Sequence, residues 1–546
     1  MSKLGSTLEQ IRDTLGASRA LRQAKLTDLS NPKRVIDTFK NTKLVGPMST
    51  VMAHQAADIP GQPAITDEHG MLTWSDVDRQ SNALANTLLD LGIKPGGVVG
   101  IIARDHRAIP LAQFAAGRSG IRLALMNTGF GKQQFVEVAE REKLEAILFD
   151  EEFADLVDGL PADLPRIVTW TDGDRQFGPD VRTLDDVVAG GRTEMPPTPD
   201  KWGGMVILTS GTTGLPKGAQ RSKFSPFTSA LLVDRIAFPY RGALVIVSPL
   251  FHSTGFATWA VGTAMGCNTV LLRRFDAEKT LQAIADNKAE MLVAVPTMLH
   301  RILALGAEVI NKYDTSSLKS VVVAGSALPP TLCEEFQDQF GDVLYNLYGS
   351  TEVAVAAVAT PAELRKAPGT IGQAPISSYM VLFDDNDQRI TEPNVKGRLF
   401  VRNGAPFEGY TDGRNKQILE GHMSTGDMAY FDEDNLWHIA GRDDDMIVSG
   451  GENLYPQEVE NLLAEHPSVD DVAVIGVDDD EFGKRLRAFV VLADGATPDP
   501  DALRAHVKSN LARYKVPRDV VFVADLPRNP TGKLVRRLLP TGALDE

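Results

Sequence analysis

The 546-residue chain has only two cysteines, Cys267 and Cys333, far apart and without C-x-x-C spacing. That rules out a disulfide framework and a cysteine-built zinc site, and it fits a reducing cytoplasm. Basic charge is scarce as well: 56 Lys and Arg against 72 Asp and Glu leave a formal net charge of −16. No basic field exists to gather a nucleic-acid backbone, so nucleic acid is set aside as a partner and any nucleotide must be held by a local site. Long hydrophobic runs are missing too. The longest stretch free of Asp, Glu, Lys and Arg, Gly242 to Leu272, is interrupted by Pro249, His252, Ser253, Thr254, several glycines and Asn268. That pattern suits a buried strand, loop, helix and strand better than a bilayer span.

What the chain does have is a loop reading Thr209-Ser210-Gly211-Thr212-Thr213-Gly214-Leu215-Pro216-Lys217-Gly218, directly after the apolar run Met205 to Leu208. Glycines let main-chain N–H groups converge, hydroxyls add short donors, and the lysine adds a mobile positive charge, which together describe a polyphosphate cradle. The spacing differs from G-x-x-x-x-G-K-[ST], in which lysine follows the last glycine and a helix begins. Pro216 withholds an N–H and disfavours a helical Leu215, so this loop should not roll into a phosphate-capping helix.

The length exceeds what one hydrophobic core usually fills. Short β-rich runs, such as Val98 to Ala103, Ala146 to Phe149, Ala243 to Val247, Met291 to Val295 and Val321 to Ala324, alternate with helix-compatible segments such as Trp74 to Leu91 and Ala277 to Lys288. This predicts class α/β with largely parallel sheets. Between Gly369 and Tyr430 the pattern changes to short strands and turns, an antiparallel or barrel-like section. A boundary is expected at Gly441-Arg442-Asp443-Asp444-Asp445, followed by a small α+β unit of about a hundred residues. At the other end, residues 1–43 carry nine Lys and Arg against four Asp and Glu, with Leu4, Leu8, Ile11 and Leu15 at helical spacing. Such a basic amphipathic leader either contacts an anionic membrane surface or packs on the body of the protein, and the second is the plainer reading.

Four further segments carry chemistry. Tyr348-Gly349-Ser350-Thr351-Glu352 offers an aromatic face, hydroxyls and a carboxylate, suited to a base, a phosphate oxygen and a hard cation. Ser424-Thr425-Gly426-Asp427 supplies a carboxylate for ribose hydroxyls. Gly441-Arg442 and Asp444 precede Gly450-Gly451-Glu452, and Pro527 to Lys533 delivers a lysine on a turn near the C-terminus.

Together these segments resemble, from Val51 to Leu539, the adenylate-forming superfamily of acyl-CoA synthetases, peptide-synthetase adenylation domains and luciferases. The resemblance implies a leader (residues 1–50), a large N-terminal domain of two α/β sheets plus a small β-barrel (51–443), and a small mobile α+β domain (444–546). It implies two half-reactions: a carboxylic acid attacks the α-phosphate of ATP to give an acyl-adenylate and pyrophosphate, and the thiol of coenzyme A then takes the acyl group.

It also assigns roles. Thr209, Ser210, Gly211, Thr212, Thr213, Gly214 and Lys217 would hold the β- and γ-phosphates. Thr351 would bind the α-phosphate and Glu352 Mg²⁺, while Tyr348 and Gly349 with Gly325, Ser326 and Ala327 would line the adenine. Asp427 and Arg442 would take the ribose, Lys533 would bridge carboxylate and α-phosphate, Asp444 would be the hinge, and Gly450, Gly451 and Glu452 would face coenzyme A. His252, Val353 and Ala354 would line the acyl pocket, with a hydrogen-bonded core histidine as the equal alternative for His252. The small apolar run after Glu352 favours a medium-to-long fatty acid over an amino acid. Transfer to a carrier protein is the rival reading, and a nucleotide- or lipid-binding protein without catalysis is a remote third.

Overall fold

The computed structural model describes residues 3–26, 32–173, 175–209, 217–221, 227–404, 409, 415–442, 447–449, 452–479, 483–511, 515–530 and 532–541. Two large sheets organise the first two thirds of the chain. One has seven strands in the spatial order Arg182–Thr183, Arg166–Trp170, Leu144–Asp150, Val98–Ile102, Arg122–Leu125, Met205–Thr209 and Lys217–Arg221. Every pair is parallel except the last, where Thr209 lies opposite Lys217 in an antiparallel hairpin. The chain therefore returns as a strand after the glycine-rich loop and not as a helix, in line with the effect expected of Pro216.

The second sheet has eight strands. Its parallel centre runs through Leu344–Ser350, Ser320–Val323, Met291–Ala294, Ala243–Ile246, Asn268–Leu271 and Pro63–Asp67. Antiparallel strands Ala354–Ala359 and Gly70–Thr73 close its two edges. The uncharged stretch 242–272 resolves into strand Ala243–Ile246, helix Ser253–Ala264 and strand Asn268–Leu271, and no described helix is long and apolar enough to cross a membrane.

Between the sheets lie helices Trp74–Asp90 and Ala108–Ser119, whose buried Trp74, Leu84, Leu111 and Phe114 share one core with Trp259 and Leu244. The first begins where Thr73 and Asp76 form a reciprocal cap, Asp76 N–H donating to Thr73 Oγ1 at 3.2 Å and Thr73 N–H to Asp76 Oδ2 at 3.0 Å, which supplies partners for otherwise orphaned helix-end groups. The barrel-like section of the expectation is a six-stranded antiparallel sheet built on Ser378–Phe383, Gly397–Asn403, His422–Phe431 and Trp437–Arg442.

The C-terminal unit packs helices Pro456–Ala464 and Pro500–Asn510 on a sheet of Val469–Asp479, Gly483–Leu492 and Asp519–Phe522. It has its own core, including Val459, Leu463, Val474, Leu486, Leu503 and Val507.

The leader forms helix Lys3–Gln23 and packs on the body, burying Ala17, Ala20 and Leu21 against Ala230, Val233 and Ile376. Of the stripe anticipated from spacing, Leu15 does not supply this face. Leu15 is 67% exposed, because residues 17, 20 and 21 lie on the opposite side of a 3.6-residue helix.

Candidate active site

Three of the described site segments follow the carboxyl ends of parallel strands, where open α/β sheets form their ligand crevices. Strand Ala243–Ile246 leads to His252, Ser320–Val323 to Gly325-Ser326-Ala327, and Leu344–Ser350 to Thr351-Glu352. Gly325 has φ 97°, so the chain turns at once after its strand. Ser210, Gly211, Thr212, Thr213, Gly214, Asp444, Gly450 and Gly451 lie outside the described residues. Thr209, Lys217 and Glu452 are placed by their strands alone.

The antiparallel pairing of Leu344–Ser350 with Ala354–Ala359 shifts register between Tyr348 and Gly349. A Cβ at position 349 would meet the Ala354 carbonyl, so only glycine allows the close backbone approach. Ser350 Oγ then donates to Glu352 Oε2 at 2.7 Å and accepts the N–H groups of Glu352 at 3.2 Å and Val353 at 3.3 Å. That turn fixes the Glu352 carboxylate at the sheet end. Side chains alternate beyond it. Val353 turns into the core of the antiparallel sheet with Leu399, Val401 and Trp437, whereas Ala354 joins the core that holds Phe251 and Phe256.

Asp427 lies in register with Arg442 across the antiparallel sheet, and Arg442 Nη1 donates to Asp427 Oδ1 at 3.2 Å. Tyr348 Oη donates to the other carboxylate oxygen. Burial pushes the Asp427 pKa up, while Arg442, Tyr348, Lys533 and Lys416 pull it back towards the ionised state. Burial and the neighbouring Asp427 charge raise the Tyr348 phenol well above its ordinary 10.0, so it remains a donor. This trio is one preorganised polar unit reaching from the end of one sheet to the edge of another.

Lys533 completes the crevice from the C-terminal unit. Its turn seats on the large domain: the Pro530 ring lies 3.0 Å from where a Gly129 Cβ would be, and a Cβ at Gly532 (φ 74°) would stand 2.6 Å from Thr297 Oγ1. Enclosure by protein draws the ammonium pKa below its ordinary 10.5, the Asp427 and Glu352 carboxylates oppose that fall, and Arg442 adds to it. Lys533, Asp427, Arg442 and Glu352 thus feel one another in a single cleft, although water still reaches the lysine.

His252 caps helix Ser253–Ala264 with no side-chain hydrogen bond to the helix. Its Nε2 is buried without a partner among the described residues. Enclosure, helped by the Lys533 cation, lowers its pKa to about 3, so the imidazole is neutral at physiological pH. Along the same helix Ser253, Ala257, Ala260 and Ala264, spaced three to four apart, are only half-buried, and Ala257 and Ala260 pack against the core that Ala354 joins.

Asp105 escaped the sequence reading. It follows strand Val98–Ile102 of the first sheet and accepts the N–H of Leu250, on the His252 loop of the second, at 2.8 Å. The bond ties the two sheet ends together over the cleft. No spacing rule could reveal it, because the partners are 145 residues apart. Burial pushes its carboxyl from the ordinary 3.8 up to about 7, with the Leu250 N–H and Arg104 opposing and Asp150 reinforcing the rise.

Its pKa being higher folded than unfolded, the native state holds the extra proton between about pH 4 and pH 7, and stability falls as pH rises through that window. Asp105→Asn, which mimics the protonated acid, should raise the thermal midpoint by a few degrees at pH 8 and leave it nearly unchanged at pH 5. Equal shifts at both pH values would contradict this assignment.

Side chains of the large α/β body and of the small C-terminal unit thus face one cleft. The chain belongs to the adenylate-forming superfamily: the AMP-binding enzyme family model matches residues 52–411, and the AMP-binding enzyme C-terminal domain model matches 458–533. A mitochondrial medium-chain acyl-CoA ligase of Mus musculus is 28% identical over 511 residues, covering 86% of this chain and 83% of the relative. A fatty acid–[acyl-carrier-protein] ligase of Streptomyces coeruleorubidus is 29% identical, covering 92% and 98%. Among solved structures, an o-succinylbenzoate CoA synthetase from Bacillus subtilis in complex with an acyl-adenylate intermediate superposes with TM-score 0.76 at 24% identity, covering 90% of this chain and 99% of that one.

Proposed function

We propose that this protein, an AMP-forming acid–thiol ligase, activates a fatty acid of medium to long chain as its acyl-adenylate and transfers the acyl group to coenzyme A. The observation that carries the reading is the meeting of Lys533 with Asp427, Arg442 and Glu352, drawn from segments that are far apart in the chain. In-line attack of a carboxylate on the α-phosphate of ATP brings two anions together. Fixed cations in an enclosed cleft lower that barrier without reorganising during the reaction.

In this reading Asp427 and Arg442 orient the ribose, Tyr348 and the segment 325–327 flank the adenine, and the hairpin loop 210–216 encloses the terminal phosphates. Thr351 and the Lys533 ammonium address the α-phosphate. No cluster of three or more His, Cys, Asp or Glu stands among the described residues. A magnesium ion would accordingly be held by Glu352 together with the phosphates, as suits a cation that keeps much of its water. Rotation about the segment holding Asp444 would withdraw Lys533 and present residues 450–452 to the thiol. The buried His252 Nε2, unpartnered among the described residues, and the small apolar side chains of Ala257, Ala260 and Ala354 suit a carboxyl head on an alkyl chain.

The test is product analysis with acids of increasing chain length. Pyrophosphate and AMP should appear only with acid present, and kcat/KM should rise from short to medium chains. ADP and phosphate would overturn the reading. The Streptomyces relative favours a second reading, in which a carrier protein takes the acyl group. A reaction that halts at acyl-adenylate in the presence of coenzyme A would select it.

A further inference from the structure

The leader packs one face on the body and turns the other outward, and the outward face has a distinct chemistry. In helix Lys3–Gln23 the exposed Leu15 shares its sector with the exposed Arg19 and Arg22, opposite the buried Ala17, Ala20 and Leu21.

The next helix, Pro32–Asp58, breaks at Gly46 (φ 79°) into two limbs of different character. Beyond the break Met48, Ser49, Thr50 and Met52 are buried. Before it Lys33, Ile36, Phe39, Lys40 and Lys43 are all exposed and occupy an arc of about 120°, with Asp37 at its margin. Ile36 and Phe39 are 67% and 61% exposed. Large apolar side chains bordered by Lys and Arg thus recur on both helices.

From this we infer that the exposed faces of residues 12–26 and 33–45 form a docking surface for an anionic phospholipid bilayer, with Leu15, Ile36 and Phe39 entering the headgroup region and the flanking Lys and Arg pairing with lipid phosphates. Charge argues for the lipid. The whole chain carries −16, which repels an anionic surface, yet residues 1–43 hold nine Lys and Arg against four Asp and Glu. A basic rim around a few apolar anchors is the composition of reversible interfacial binding. The inference is independent of which acid is activated, since it concerns a surface apart from the crevice.

The experiment is co-sedimentation of the full-length protein, without ATP or acid, with phosphatidylcholine vesicles with or without phosphatidylglycerol. Binding should require phosphatidylglycerol and disappear at high salt. The Leu15→Ser/Ile36→Ser/Phe39→Ser and Lys33→Gln/Lys40→Gln/Lys43→Gln variants should each bind at least about tenfold more weakly, by analogy with additive costs per anchor and per charge. Both should turn over a short, water-soluble acid at the wild-type rate. Failure of the wild type to bind anionic vesicles, or equal binding by the variants, would overturn the inference. So would a fall in particle mass by light scattering in the variants without any vesicle binding by the wild type, which would assign the face to a second copy of the chain.

Discussion

Replacing Lys533 by alanine is expected to slow acyl-adenylate formation by about 10²- to 10³-fold, the cost of one preorganised electrostatic contact at a developing charge. Thioester formation from supplied acyl-adenylate should keep most of its rate. The reasoning rests on position. Lys533 reaches the crevice on a turn seated against Gly129 and the Val295 to Thr297 segment, so it acts only while the C-terminal unit is docked as described. Once the adenylate exists, no second anion remains to be brought to phosphorus, and the lysine has finished its part. Burst measurement of pyrophosphate, alongside single-turnover transfer from synthetic adenylate, separates the two steps. Equal loss in both would contradict a half-reaction role.

Asp427→Ala should behave differently, with KM for ATP rising by roughly 10²-fold, since two charge-assisted hydrogen bonds to ribose are worth about 3 kcal/mol together. Both half-reactions should suffer, because the adenylate retains the ribose. The loss also leaves Tyr348 Oη and Arg442 without the carboxylate each now contacts, so the nucleotide pocket itself loosens. Asp427→Asn keeps the shape and one acceptor and should restore part of the affinity. Should KM for ATP stay unchanged in the alanine variant, the ribose assignment fails.

Much of the site could be read from residues because its chemistry is local. Ser350 with Glu352 and Tyr348 with Gly349 act within five positions, where strand Leu344–Ser350 ends. The alternation of strands and helices was likewise legible from runs such as Met291 to Val295, which form buried parallel strands. What was hidden is long-range. Asp105 holds Leu250 across two sheets, and nothing near Asp105 in the chain announces it. The division between Val353 and Ala354 depends on which sheet each side of one strand meets. Apolar spacing in the leader identified a helix, whereas its described buried residues, Ala17, Ala20 and Leu21, lie opposite Leu15.

Cys267 and Cys333 are both buried, and burial pushes their thiols up to about 12 and about 11. Neither forms an appreciable thiolate at neutral pH, the form that reacts with disulfide reagents. An aromatic disulfide dye added to the folded enzyme would therefore register coenzyme A alone, and its fading colour yield would trace thioester synthesis continuously with no background from the catalyst.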